Sequence, residues 1–305
     1  MKKHIYLTSA LIGLIGMALL APSANAQSTI TPSNGDLILG FQVEQLFAAT
    51  TGTYEAAQGP GTSLDLEIDL GQVSKYYNPS TGLALSGTSF TLPALAVADL
   101  VATYGANWDT RSDLFWGIVA TTGKTSSSSD GLFGPATIWQ TNAESTPGTL
   151  STPLICRSKN SQQAPTGNIQ GLYLGTGPLN GATSTANSPT AAIINASTLG
   201  SWTSQETTGP QAGVGVGFSF GSQDNTTDIP VGGYSVSDLY ELPPGSGSGI
   251  LLGAFGLSNS GTLTFSTQPS QFAVPEPSGI TLLGVAGGVL AATRLRRSRQ
   301  SFSAQ

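Results

Sequence analysis

Short apolar-rich runs, each closed by Gly, Pro, Asn or Ser, recur along most of the chain: DLILGFQV (36–43), SLDLEIDL (63–70), TSFTL (88–92), DLFWGIVATT (113–122), ATIWQT (136–141), PLICR (153–157), IQGLYLG (169–175), GVGVGFSFG (213–221), DLYEL (238–242), GILLGAFGL (249–257) and GTLTFS (261–266). Runs of this length bounded by turn residues predict strands. Two segments have helical signals instead. TLPALAVADLVATYG (91–105) offers Thr91 as cap, Leu95, Leu100, Val101 and Tyr104 as a stripe and Gly105 as a stop; SPTAAIINASTLG (188–200) offers Ser188, Pro189 and Gly200. The pattern predicts a mainly β, sandwich-like single domain over 27–267 with one or two short helices, and PPGSGSG (243–249) as a flexible turn.

The two ends have a different pattern. Lys2 and Lys3 precede an uncharged apolar run from Ile5 to Leu20, and Ala24-Asn25-Ala26 supplies a small-residue cleavage site, so 1–26 predicts a signal peptide with mature chain starting at Gln27. After a linker at 268–273 comes a second uncharged run, Ser278–Thr293, about 24 Å long as a helix. It reads as a short membrane span followed by Arg294, Arg296, Arg297 and Arg299 and a tail at 300–305.

The inventory narrows the chemistry. The single histidine, His4, lies in the predicted signal peptide, so a Ser-His-Asp triad or a His-ligated metal has no ligand in the mature chain. Cys156 stands alone, which excludes an internal disulfide and reads as a small buried thiol. From Gln27 to Phe272, sixteen acidic residues face five basic ones, a difference of eleven negative charges. That balance repels nucleic acid and gives no reason to expect it as a partner.

Few motifs survive inspection. Gly217–Gly221 reads GFSFG, but no helix signal follows Ser219 and no histidine can serve it. SLDLEIDL puts Asp65, Glu67 and Asp69 on one face of a strand and Leu64, Leu66, Ile68 and Leu70 on the other, predicting a half-buried strand with a solvated acidic face. DNTTD offers Asp224, Asn225 and Asp228 as hard oxygen donors for calcium, the one cofactor the sequence admits; an Asx-turn accounts for the same residues without metal. Trp108, Trp116, Trp139 and Trp202 are sugar-stacking candidates if exposed and core residues if not.

The C-terminal pattern is the most specific. Val274-Pro275-Glu276-Pro277 is held extended by its prolines, and the apolar run with Gly284 and Gly288 and then the arginines follow it directly. This order resembles the PEP-CTERM sorting signal of Gram-negative bacteria that make extracellular polysaccharide. The resemblance covers 274–299 and implies an exosortase-type enzyme as partner, transient anchoring with the C-terminus cytoplasmic, and delivery to the cell surface or matrix. NGDLILGF, DLVATYGANWDTRSDLFWGIVATTG and LLGAFGLSNSGTLTFS are similar, more loosely, to exported proteins of that kind with no assigned activity. The expectation is a non-enzymatic, structural or adhesive surface protein; the alternative is a carbohydrate-binding module for extracellular polysaccharide, calcium-dependent through the DNTTD loop.

Overall fold

The computed structural model describes residues 27–44, 46–48, 53–55, 59–78, 80–81, 83–84, 90–92, 97–205, 223–226, 229 and 233–273. The expected signal peptide with Ala24 and Ala26, the GFSFG segment, Asp228 and the expected sorting segment from Val274 onward lie outside these residues; Gln27 is the first described residue and is exposed. Among the described residues no helix is long and apolar enough to cross a membrane.

The chain is mainly β. Its strands in order are β1 (Asp36–Val43), β2 (Leu46–Ala48), β3 (Thr53–Glu55), β4 (Leu64–Gln72), β5 (Tyr77–Asn78), β6 (Leu83–Ala84), β7 (Phe90–Leu92), β8 (Leu114–Thr121), β9 (Ile138–Ala143), β10 (Ala191–Asn195), β11 (Asp224–Asn225), β12 (Tyr234–Leu242), β13 (Ile250–Ser258) and β14 (Leu263–Ser266). Ten of them form one antiparallel sheet in the order β10-β4-β1-β8-β9-β12-β13-β14-β7, with β11 beside β8; β2-β3 and β5-β6 are separate hairpins. Three helices complete the described fold: α1 (Val97–Tyr104), α2 (Lys159–Tyr173) and α3 (Trp202–Gln205).

The sheet curls until its inner face closes on itself. Tyr76 leaves a 3-10 turn just after β4, near one edge, yet its ring centroid lies 5.5 Å from that of Phe255 on β13 and 5.1 Å from that of Phe265 on β14. Leu37, Leu39 and Phe41 of β1, Leu66 and Ile68 of β4, and Phe255 and Phe265 share that inner core. The outer face is covered as well: Ile38 and Val119 pack with Ile169, Leu172 and Tyr173 of α2 and with Trp202. All eight positions of β1 and of β8 are consequently buried, which is why both read as nearly unbroken apolar runs.

Each long helix ends on a tyrosine that ties it to the sheet. Beyond the last β1–β4 pair, Phe41 with Leu66, the Leu66 N–H donates to the Tyr104 hydroxyl at 2.9 Å, and that hydroxyl donates to Phe41 O at 2.8 Å. On the opposite face the Thr121 N–H donates to the Tyr173 hydroxyl at 3.1 Å, which donates to Thr121 O at 3.0 Å. Backbone groups at strand ends, left over by the ladder, are thereby satisfied.

Trp202 requires two adjacent glycines. Gly40 on β1 pairs with Gly117 on β8. A Cβ on Gly40 would lie 2.0 Å from Trp202 Cδ2, and one on Gly117 would lie 3.6 Å from Cζ2. The indole thus lies on bare backbone, and its Nε1–H donates to Gln223 Oε1 at 3.0 Å.

Several sequence expectations are corrected. The helix expected at 188–200 is the edge strand β10, in which Ala192 and Ile194 are buried while Ile193 and Asn195 are exposed, a period of two selected by pairing with β4. The strand expected at 169–175 is instead the end of α2, a fifteen-residue helix capped by Ser158, longer than the short helices expected. Its buried Gln162, Pro165, Thr166, Ile169, Leu172 and Tyr173 fall at helical spacing. The first helix is described over Val97–Tyr104, and Thr91, expected as its cap, pairs with Thr264 in the sheet. PLICR makes one bridge, Ile155 to Ser248, and ties down the loop expected to be flexible through Cys156 N–H to Gly247 O (2.9 Å) and Gly249 N–H to Leu154 O (2.6 Å). Cys156 is buried, as expected.

Gly40→Ala should lower the unfolding free energy by about 2–3 kcal/mol, because overpacking displaces the indole. Gly134→Ala, whose Cβ meets nothing within 4 Å, should stay within about 0.5 kcal/mol of the native protein in the same urea titration.

Candidate functional site

The chemistry-bearing side chains of this histidine-free body are its carboxylates, and the double covering of the sheet determines where they lie. Asp65 and Glu67, expected on a solvated strand face, are both 0% exposed. The reason is α3, which sits over that face of β4. Its first N–H groups have no intrahelical acceptor. Trp202 N–H donates to Glu67 Oε1 at 2.7 Å, Thr203 N–H to Asp65 Oδ2 at 2.8 Å, and the Thr203 hydroxyl to Asp65 Oδ1 at 2.6 Å. Burial, and then the charge of Asp65, push Glu67 well above the usual carboxylate range against the pull of the Trp202 N–H. Its Oε2 has no hydrogen-bond partner among the described residues, which fits a protonated carboxyl. Residues held this way face a helix terminus, not a sugar.

Asp69, third in the row, is pushed up to about 6 by burial and the charge of Asp36, with the Gly71 N–H and Lys75 opposing. Asp36 is itself raised, by burial foremost. At the other end of β1 the Gln42 amide donates to Glu44, and the amide of Gln223, whose Oε1 accepts the Trp202 indole N–H, donates to Glu44 at 3.3 Å.

A second group forms where β9 runs beside β12. Glu144 follows β9 and its backbone N–H donates to Val236 O at 2.9 Å, setting its side chain next to that of Asp238. Glu144 is 4% exposed and Asp238 0%. Glu144 Oε2 accepts the Gly148 N–H at 2.6 Å and Asp238 Oδ2 accepts the Ser151 N–H at 2.6 Å. The remaining oxygens, Glu144 Oε1 and Asp238 Oδ1, find no other donor among the described residues. The two acidic side chains stand close enough to act on each other in this buried place. Burial, then the charge and hydrogen bond of Asp238, lift Glu144 to about 8. The Ser151 and Tyr240 hydroxyls, 3.2 Å apart, adjoin the pair.

The calcium candidates are divided by the structure. Asp224 and Asn225 form β11, paired with Trp116 and Phe115 of β8. Asp224 is 2% exposed; its Oδ2 accepts the Ser235 hydroxyl at 2.6 Å, and Ser235 in turn accepts the Trp116 Nε1–H at 2.7 Å. Asn225 Nδ2 donates to Ser112 O at 2.6 Å. Asp228 lies outside the described residues, and among those described no group of three or more His, Cys, Asp or Glu is placed to hold a metal. All four tryptophans are buried, at 2% exposure or less, so they form core and no sugar-stacking platform.

The sequence reading missed the Glu144–Asp238 pair because its members stand 94 positions apart and meet only through the β9–β12 pairing. Compared with protein-family models, with curated proteins and with solved structures, the chain matches none of them.

These carboxyls fix the sign of the pH dependence. Asp69, Glu241 and Glu144 have ordinary values of 3.8, 4.5 and 4.5 and are raised in the folded chain to about 6, 7 and 8, Glu241 by burial. The native state therefore binds more protons than the unfolded chain between pH ~4 and ~8, and stability falls as pH rises through that window. Thermal melts should show the highest midpoint near pH ~4 and a steady decline to pH ~8.5, and Glu67→Gln should flatten part of the slope.

Proposed function

We propose that the protein is an exported cell-surface or matrix protein, with residues 274–299 as its sorting signal and a β-sandwich-like body in a structural or adhesive role. The observation that carries this reading is the uninterrupted order of Val274-Pro275-Glu276-Pro277, the uncharged run to Thr293 and the cluster Arg294, Arg296, Arg297 and Arg299. An extended, proline-fixed segment is a good handle for a recognising enzyme, and arginines behind a short apolar helix hold that end in the cytoplasm.

The end of the body supports the reading. Residues Pro269–Phe272, within the expected linker, form a 3-10 turn whose Phe272 is 3% exposed and packs edge-on to Tyr234 at 5.1 Å. A Cβ on Gly256 would lie 2.5 Å from the Phe272 ring, so β13 offers the ring a bare seat. In the sequence only Ala273 separates this packed turn from Val274.

Replacing Pro275, Glu276 and Pro277 with alanine should leave the protein in the inner-membrane fraction with its tail attached, whereas the native chain leaves that fraction. The intact mass of the mature native protein should correspond to a start at Gln27 and a loss of chain near Pro277. An unchanged distribution between the two proteins, or a native mass that still includes residues 278–305, refutes the sorting role.

A further inference from the structure

We infer that Asn180 is a self-modification site kept silent by the segment 28–30. While that segment is paired with 181–184, the Gly181 nitrogen does not close on the Asn180 carboxamide; its release starts an irreversible conversion of Asn180 to aspartate and isoaspartate. The site belongs to the described fold and stands whether or not residues 274–299 are a sorting signal.

The chemistry needs an asparagine followed by a residue whose nitrogen is uncrowded. Asn-Gly meets that need, since glycine has no Cβ, and it occurs twice in the chain, at Asn34–Gly35 and Asn180–Gly181. The glycine nitrogen attacks Cγ of the asparagine side chain. A C–N bond closes a five-membered succinimide, the Cγ–Nδ2 bond breaks, and ammonia leaves with the proton of the glycine amide. Water then opens the ring at one of its two carbonyls and leaves aspartate or isoaspartate. At 181 the fold itself calls for glycine, because φ there is +82°. Asn180 and Gly181 are both exposed, so water and base reach them.

Two hydrogen bonds hold the reacting groups apart. The Gly181 N–H donates to Ile30 O at 2.8 Å, which keeps the proton on the nitrogen and fixes its orientation. The Asn180 side-chain amide donates to Gly175 O at 2.9 Å, which turns the carboxamide toward the other end of its loop. The second bond is local, whereas the first depends on the segment 28–30. That segment is held by Ile30 N–H to Ala182 O (2.9 Å), Ser184 N–H to Ser28 O (2.8 Å), Ser28 N–H to Ser184 Oγ (2.8 Å) and the Ser28 hydroxyl to Pro189 O (3.1 Å). Ser28 and Thr29 are exposed; Ile30, packed in one cluster with Leu179, is its apolar anchor. Asn34–Gly35 is guarded more deeply. Its glycine N–H donates to Thr121 O of β8 at 2.9 Å, and its carboxamide oxygen accepts from Gln170 at 3.2 Å, so it is freed only when the sheet opens. A short segment with one buried side chain opens at lower free energy than a central strand. The product then makes the opening permanent, because isoaspartate puts one more atom into the main chain and Gly181 and Ala182 no longer meet Ile30 in register.

Ageing the full chain in detergent at mildly alkaline pH tests this, with conversion at Asn180 and Asn34 read from the same samples by peptide mapping that separates aspartate from isoaspartate. In the native chain both sites should convert at least about tenfold more slowly than in the chain unfolded in urea. Ile30→Ala removes most of the anchor, and Asn180 should then convert about tenfold faster than in the native chain while Asn34 is unchanged. Ile30→Val keeps a buried branched side chain and should leave both sites slow. If Ile30→Ala does not fold, the native chain decides the matter: its Gly181 amide should be protected from hydrogen exchange, and in urea below the global transition Asn180 should accelerate before Asn34. Conversion of Asn180 in the native chain as fast as in the unfolded one, an unprotected Gly181 amide, or Asn180 and Asn34 accelerating together below the transition overturns the inference.

Discussion

Covering a sheet on both faces removes the solvent side that an antiparallel strand ordinarily keeps for its polar residues. Here the inner face closes by curling, through Tyr76 against Phe255 and Phe265, and the outer face is roofed by α2, α3 and the indole of Trp202. Alternating sequences such as LDLEIDL therefore bury their acids together with their aliphatics. Each buried carboxyl then needs either an N–H donor or a proton. Asp65 and Glu67 meet the start of α3, Asp224 meets Ser235, and Glu144 and Asp238 each meet a loop amide. The positions of the loops and of the short helix follow from that requirement as much as from apolar packing.

Much of the sheet was legible in the sequence because its central strands are long and buried. DLILGFQV coincides with β1, and the runs at 113–122, 249–257 and 261–266 match β8, β13 and β14 within a few residues. The errors fall where local signals and tertiary context disagree. Pro189 and Gly200 look like helix boundaries, but the open edge of β4 recruits Ala191–Asn195 as a strand. Pro165 and Gly167 discourage a helix, yet Ser158 starts one and the spacing of Ile169, Leu172 and Tyr173 continues it. That three-and-four spacing was visible in the sequence and outweighs the proline.

The candidate site was less legible. Asp65, Glu67 and Asp69 stood out as a group, but alternation alone does not say whether the polar face meets water, and here it meets α3. The Glu144–Asp238 pair had no local signal at all, since neither residue lies in an unusual context. The tail offers the reverse case, a short stretch whose order of proline, apolar run and arginine is informative without any fold. The packed turn Pro269–Phe272 stands directly ahead of that stretch in the sequence.

The protons stored among these carboxyls also belong in the heat balance of the molecule. A folded chain that holds extra protons on Glu67, Asp69, Glu144 and Glu241 releases them to the solution as it unfolds near neutrality. Its measured unfolding enthalpy thus contains the ionisation heat of whatever buffer takes up those protons, and will differ between phosphate and an amine buffer at equal pH. The sequence isoelectric point of about 4.6 describes the unfolded chain, and the folded protein is less acidic than its composition.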